Sequence, residues 1–152
     1  MNHLLIVYHS KNGGTAAMAA AVIKGASHPD ITVEIRSRQA REAGLDDLLW
    51  ADALILGTPE NFGYMSGALK DFFDRTYYPA EGKVEGLPYA LFVSAGNDGQ
   101  GAVTSVQRIV RGFPFKEVQP PLVVQGDVRA DDLARCEELG MYMAAGTESS
   151  LF

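Results

Sequence analysis

Three short segments of the sequence carry residue types from which a binding site can be built. The first is His9-Ser10-Lys11-Asn12-Gly13-Gly14-Thr15. The Ser10 and Thr15 hydroxyls, the Asn12 amide and the backbone N–H groups freed by Gly13 and Gly14 are donors suited to one phosphate, above all at a helix amino terminus. The same residue types also serve an ordinary strand-to-helix turn. The segment lacks the Gly-x4-Gly-Lys-Ser/Thr spacing of triphosphate loops and the Gly-x-Gly-x-x-Gly of dinucleotide sites. The second segment is Thr58-Pro59-Glu60-Asn61-Phe62-Gly63-Tyr64-Met65-Ser66-Gly67. It places Phe62, Tyr64 and Met65 in one short polar connection. Either a flat aromatic ligand covers these groups, with Gly63 letting the backbone approach its edge, or Phe62 and Met65 pack under the loop as a satellite cluster. The third is Ser94-Ala95-Gly96-Asn97-Asp98-Gly99-Gln100-Gly101. Its successive N–H groups can form a nest for negative charge, while Asn97 and Asp98 equally suit a turn that starts a helix.

The elements that would hold these segments follow from the apolar pattern. Strand-length runs alternate with helical patterns along the whole chain, which predicts βαβ units and a parallel sheet. Strands are expected over 4–8, 32–37, 53–57, 89–94 and 122–125. The cores Leu4-Leu5-Ile6-Val7, Ala53-Leu54-Ile55-Leu56 and Ala90-Leu91-Phe92-Val93 are continuously apolar and belong in the middle of the sheet, whereas Val33-Glu34-Ile35-Arg36 alternates and belongs near an edge. Helices are expected over 15–24, closed by Gly25 in the left-handed conformation, then over 45–49, from a Ser66 cap through Leu69, Phe72 and Phe73, and over 101–110 and 131–143. The stretch 79–88, with two prolines and two glycines, reads as a surface connection. Ligands in such sheets bind outside the carboxyl ends of the strands, where strand order reverses. All three segments leave such ends.

Composition narrows the function further. A chain of 152 residues, 47% of them hydrophobic, fits one globular domain. No run approaches the ~20 apolar residues of a membrane span. The amino terminus shows no leader pattern, and the lone Cys136 fits a reducing compartment, so the cytoplasm is the expected location. Cys136 itself is expected to be helix packing rather than a redox thiol. A net charge of -6 argues against nucleic acid as a partner.

Together the motif Ile6-Val7-Tyr8-x-Ser10-x-Asn12-Gly13-Gly14-Thr15, the Trp50-Ala51-Asp52-Ala53 segment and the run from Gly57-Thr58-Pro59-Glu60-Asn61-Phe62-Gly63 to Asp74-Arg75 resemble the flavodoxin-like proteins that bind flavin mononucleotide (FMN). The second half of that pattern is most similar to the NAD(P)H-dependent FMN reductases and to the quinone oxidoreductases first described as tryptophan-repressor-binding proteins. The resemblance implies an α/β three-layer sandwich with a five-stranded parallel sheet in the order 2-1-3-4-5. It implies that Ser10, Lys11, Asn12, Gly13, Gly14 and Thr15 hold the phosphate of a non-covalent FMN. Thr58, Pro59, Glu60, Asn61, Phe62, Gly63, Tyr64 and Met65 would border the dimethylbenzene and N5 side of the ring. Ala95, Gly96, Asn97, Asp98 and Gly101 would meet its pyrimidine edge. No metal is implied.

Departures from the pattern shape the expected activity. Electron-carrier flavodoxins have Thr where Asn12 stands and tend to cover the flavin with an aromatic from the third segment, which has none here. An open ring face favours hydride transfer from NAD(P)H to FMN and on to a quinone or other small acceptor, with the flavin and not a side chain carrying the chemistry. A flavodoxin-type carrier serving protein partners is the alternative. Receiver domains and low-molecular-weight phosphatases share the architecture, but the first would need acidic residues where His9-Ser10 and Thr58-Pro59 stand, and the second a cysteine in the first segment. Lys70, Arg75, Arg108 and Arg111 are candidates for contact with a nucleotide 2′-phosphate and equally for solvated surface charge. Tyr77-Tyr78 and the tail Leu151-Phe152 would either supply apolar surface to a homodimer or pack on their own chain.

Overall fold

The computed structural model describes residues 1–10 and 13–152. Its elements are β1 (His3–Tyr8), α1 (Gly14–Ala26), β2 (Glu34–Gln39), α2 (Leu45–Trp50), β3 (Ala53–Pro59), α3 (Gly67–Ala80), β4 (Pro88–Ala95), α4 (Gln100–Val110), β5 (Lys116–Glu117), β6 (Leu122–Gln125) and α5 (Ala130–Glu148). Every strand pairing is parallel, and the order runs β2-β1-β3-β4, with β5 and β6 both beside β4. The expected order is therefore present, with its fifth place filled by two pieces. β5 meets Pro88 and Tyr89, and β6 meets Phe92 to Ala95. Between them lie Gln119-Pro120-Pro121. A proline has no N–H to give to the ladder, so the pairing must lapse there. The two-residue β5 was not expected from the sequence, because two charged residues carry no apolar signal.

Alternation along the central strands divides the core in two. Leu5, Val7, Leu54, Leu56, Leu91 and Val93 face Leu48, Leu69, Phe72, Phe73, Val103 and Val106 of α2, α3 and α4. Leu4, Ile6, Ala53, Ile55, Ala90 and Phe92 face Met18 and Val22 of α1 and Cys136, Leu139 and Met143 of α5. Burial on both faces is why these strands read as unbroken apolar runs. β2 lies at the edge, as its alternation predicts, though it begins two residues later than expected.

Two further expectations are corrected. Gly25 does not close α1 in a left-handed cap: the helix continues to Ala26 and is followed by Ser27 at φ -92°. Gly25 is needed for proximity instead, because a Cβ there would stand 1.9 Å from the Glu137 carbonyl oxygen of α5. Gly140 of α5 reciprocates, its Cβ position lying 2.0 Å from the Val22 carbonyl oxygen. Nor does the connection after α3 begin at Pro79, which sits inside the last turn of that helix.

Candidate cofactor-binding site

The loops leaving β1, β3, β4 and β6 meet around Ser94, next to last in β4. A Cβ on Gly14 would lie 2.6 Å from Ser94 Oγ and 2.9 Å from Val128 Cγ2, so the first loop sits directly against the ends of β4 and β6. The Ser94 carbonyl accepts the Glu60 N–H at 2.9 Å, and the Ala95 carbonyl accepts the Gly126 N–H at 2.7 Å. Parallel registry puts all these carboxyl ends on one edge of the sheet, which is the crevice the strand order requires.

Within the first loop, Lys11 and Asn12 lie outside the described residues. Gly13 precedes α1 at φ 75°, a conformation natural to glycine, and a Cβ there meets nothing described within 4 Å. The first-turn N–H groups of a helix have no intrahelical acceptor, and α1 has no acidic residue in its first turn to compete for them. Thr15 is buried. Ser10 is held from the side: its N–H donates to Gln39 Oε1 at 3.2 Å, and Gln39 Nε2 donates to Ser10 Oγ at 3.3 Å. Gln39, last in β2, was not anticipated. Its only signal in the sequence is its place at the carboxyl end of the strand next to β1.

The second loop is a tight hairpin. Asn61 and Tyr64 exchange both backbone hydrogen bonds, at 2.9 and 3.0 Å, around Phe62 at φ 52° and Gly63 at φ 70°. Positive φ at both central residues is the pattern of a type I′ turn. Phenylalanine rarely adopts it. The Phe62 side chain is nonetheless fully exposed, and Tyr64 is 42% exposed. Met65, by contrast, is in the core, and its N–H donates to Ser105 Oγ at 3.1 Å. Thr58 is fully buried and pins the far end of the loop: its Oγ1 donates to the Pro59 carbonyl and accepts the Ser66 N–H. The side chains of Thr58 and Met65, expected to border the ring, are instead buried and hold the loop from within the protein. Glu60 reaches across to α4, where Oε2 accepts the Ala102 N–H at 3.1 Å. Gly101 closes the same junction, since a Cβ there would stand 2.0 Å from the Gly63 carbonyl oxygen.

The third loop is open. A Cβ at Gly96 would meet nothing within 4 Å, and among the described residues the N–H groups of Gly96, Asn97 and Asp98 meet no protein acceptor. Asp98 Oδ1 accepts the Gln100 N–H at 3.0 Å and so starts α4. Gly99 at φ 74° brings the backbone against Val123. The donor set suits FMN on physical grounds: an uncovered glycine cradle at a helix start for the phosphate, three free N–H groups for the polar edge of the ring, and an exposed aromatic turn between them for its apolar side.

This fold and this edge define a class, the flavodoxin-like FMN proteins. Residues 23–124 match the family model described as NADPH-dependent FMN reductase, and the chain belongs to that family. It is 35% identical to a flavodoxin of Aquifex aeolicus over 118 residues, 76% of this chain and 63% of the relative. It is 28% identical to an NAD(P)H dehydrogenase (quinone) of Paracoccus denitrificans, over 88% of this chain and 74% of the relative. Among solved structures, a flavodoxin from the domain Archaea superimposes with a TM-score of 0.83 at 26% identity, covering 95% of this chain and 98% of that one.

Proposed function

We propose that this chain is an FMN-dependent NAD(P)H oxidoreductase that passes reducing equivalents to a quinone or another small acceptor in the cytoplasm. One observation carries the reading: the cradle at Gly13, the exposed turn at Phe62-Gly63 and the free N–H row at Gly96 to Asp98 lie on a single sheet edge, and the third loop brings no aromatic to cover what they hold. FMN, when bound, supplies the hydride-accepting centre. The chain supplies orientation. Ser10, Lys11, Asn12, Gly13, Gly14 and Thr15 hold the phosphate end, with Gln39 steadying Ser10. Pro59 to Tyr64 border the ring on one side, while Gly96 to Asp98, beyond Ala95, direct N–H donors at its polar edge and stabilise negative charge as it develops there. The absence of a covering aromatic leaves room for a nicotinamide or a quinone to stack.

The family description and the quinone dehydrogenase relative agree with this reading. Among the described residues no helix is long and apolar enough to cross a membrane. A small acceptor suits the net charge of -6 better than nucleic acid does. Of the four apolar groups considered for a homodimer, Tyr78 and Leu151 are exposed, whereas Tyr77 packs edge-on against Phe113 and Phe152 packs against Tyr142 and Gly146. The deciding experiment is an anaerobic absorbance titration of the FMN-supplemented protein with NADPH and NADH. Bleaching of bound flavin, reversed by a quinone, is expected. Flavin that stays bound and ignores both nucleotides would move the assignment to the electron carrier suggested by the Aquifex flavodoxin. Failure to retain flavin would end both readings.

A further inference from the structure

Behind the Phe62-Gly63 turn lies a groove of about 450 Å³, walled by Gly63 and Tyr64 on one side and by Gln100, Gly101, Thr104, Ser105, Arg108 and Ile109 of α4 on the other. Its walls are mainly apolar. Its polar groups are ordered: Gln100, Thr104 and Arg108 are exposed and stand one helical turn apart on one face of α4. Ser105 offers nothing, since its hydroxyl already accepts the Met65 N–H and donates to the Ala102 carbonyl. Carboxylates gather at the opposite end, where Glu60 and Asp98 are engaged by N–H groups of the first turn of α4.

The four cations left open by the sequence now separate. Lys70 is held by Asp74 at 2.7 Å. Arg75 is held by Asp71 and by the carbonyls of Ala40 and Ala43. Arg111 lines a different hollow beside Tyr89 and Glu117, at the amino end of β4 and away from the crevice. Arg108 alone borders a groove that shares Gly63 and Gly101 with the candidate site, and among the described residues it has no ion-pair partner. In a chain of net charge -6, such a guanidinium at the end of an apolar groove matches a ligand that is aromatic along its length and anionic at one end.

We propose that this groove seats the phosphorylated adenosine half of NADPH, with the adenine against Tyr64 and the 2′-phosphate on Arg108, so that Arg108 sets the preference for NADPH over NADH. The proposal rests on the NAD(P)H-dependent reading above. Its test separates the two by using adenosine 2′,5′-bisphosphate and adenosine 5′-monophosphate, which carry no nicotinamide, in calorimetric titrations of the FMN-loaded protein. Wild type should bind the bisphosphate about tenfold more tightly, the value of one charge-assisted contact. Arg108→Ala should abolish the difference and Arg108→Lys should keep part of it, with unchanged melting temperatures showing that the fold is intact. Equal binding of the two probes to wild type, binding of neither, or a difference that survives Arg108→Ala would overturn the proposal. A protein that binds the bisphosphate through Arg108 yet is not reduced by NADPH would leave the groove standing and remove the functional reading.

Discussion

Phe62 is the residue at which conformation and solvation both run against stability. Its φ of 52° costs about 1 kcal/mol for a side chain with a Cβ, and full exposure returns nothing for it in the protein alone. Replacing it by glycine removes the strain but loosens the unfolded chain, so Phe62→Gly should change stability by less than about 1 kcal/mol. FMN affinity, measured by fluorescence quenching, should fall about three- to tenfold if the ring rests on a cofactor. An affinity equal to wild type would show that Phe62 faces only water. Gly101→Ala should behave oppositely, since its new methyl meets the Gly63 backbone and cannot be accommodated by a side-chain rotation. A loss of about 1–3 kcal/mol together with weakened FMN binding is expected from chemical denaturation and titration.

Cys136 is fully buried, thiol included. Burial between α1 and α5 pushes its thiol up to about 11, so it should resist thiol reagents at pH 8 in the folded protein. An unfolded cysteine titrates near 8.5. The folded state therefore holds a proton that the unfolded state releases, and the stabilisation is complete below about pH 8.5 and declines as pH rises toward 11. Urea melts across that range should show the decline in wild type and a flatter profile in Cys136→Ala.

Among the elements, α1 and α5 pack closely, with Gly25 and Gly140 each lying against a carbonyl of the other helix. Gly140→Ala, like Gly25→Ala, should cost about 1–3 kcal/mol or more in denaturant melts, because the obstruction is backbone. The same pair shows where sequence reading stops. A glycine near a helix end looks alike whether it turns the chain or admits a neighbour, and only the position of α5 distinguishes the two. The central strands were legible because burial on both faces leaves a local apolar signature. β5 was not, since two charged residues are recruited by the neighbouring backbone of β4 rather than by any pattern of their own. Of the candidate site, the three loops were legible from glycine and hydroxyl spacing. The Gln39 to Ser10 and Glu60 to Ala102 hydrogen bonds were not, because they join residues 29 and 42 positions apart.

For the molecule as a whole, both halves of the core are filled by protein side chains alone, Met65 of the second loop included. The apoprotein should accordingly fold on its own, and FMN at about a hundred times its dissociation constant should add about 2.7 kcal/mol, raising the melting temperature by roughly 5–10 °C. A calorimetric scan with and without FMN checks this, and an apoprotein without a cooperative transition would contradict it. The two margins of the sheet carry one more consequence. An open row of N–H and C=O groups on a sheet edge is a template on which other chains can grow. Here one margin is β2, studded with Glu34, Arg36 and Arg38, and the other is cut in half at Gln119-Pro120-Pro121. Neither margin offers a long uncharged ladder, so the fold resists edge-to-edge aggregation and fibril seeding by the same break that divides its last strand.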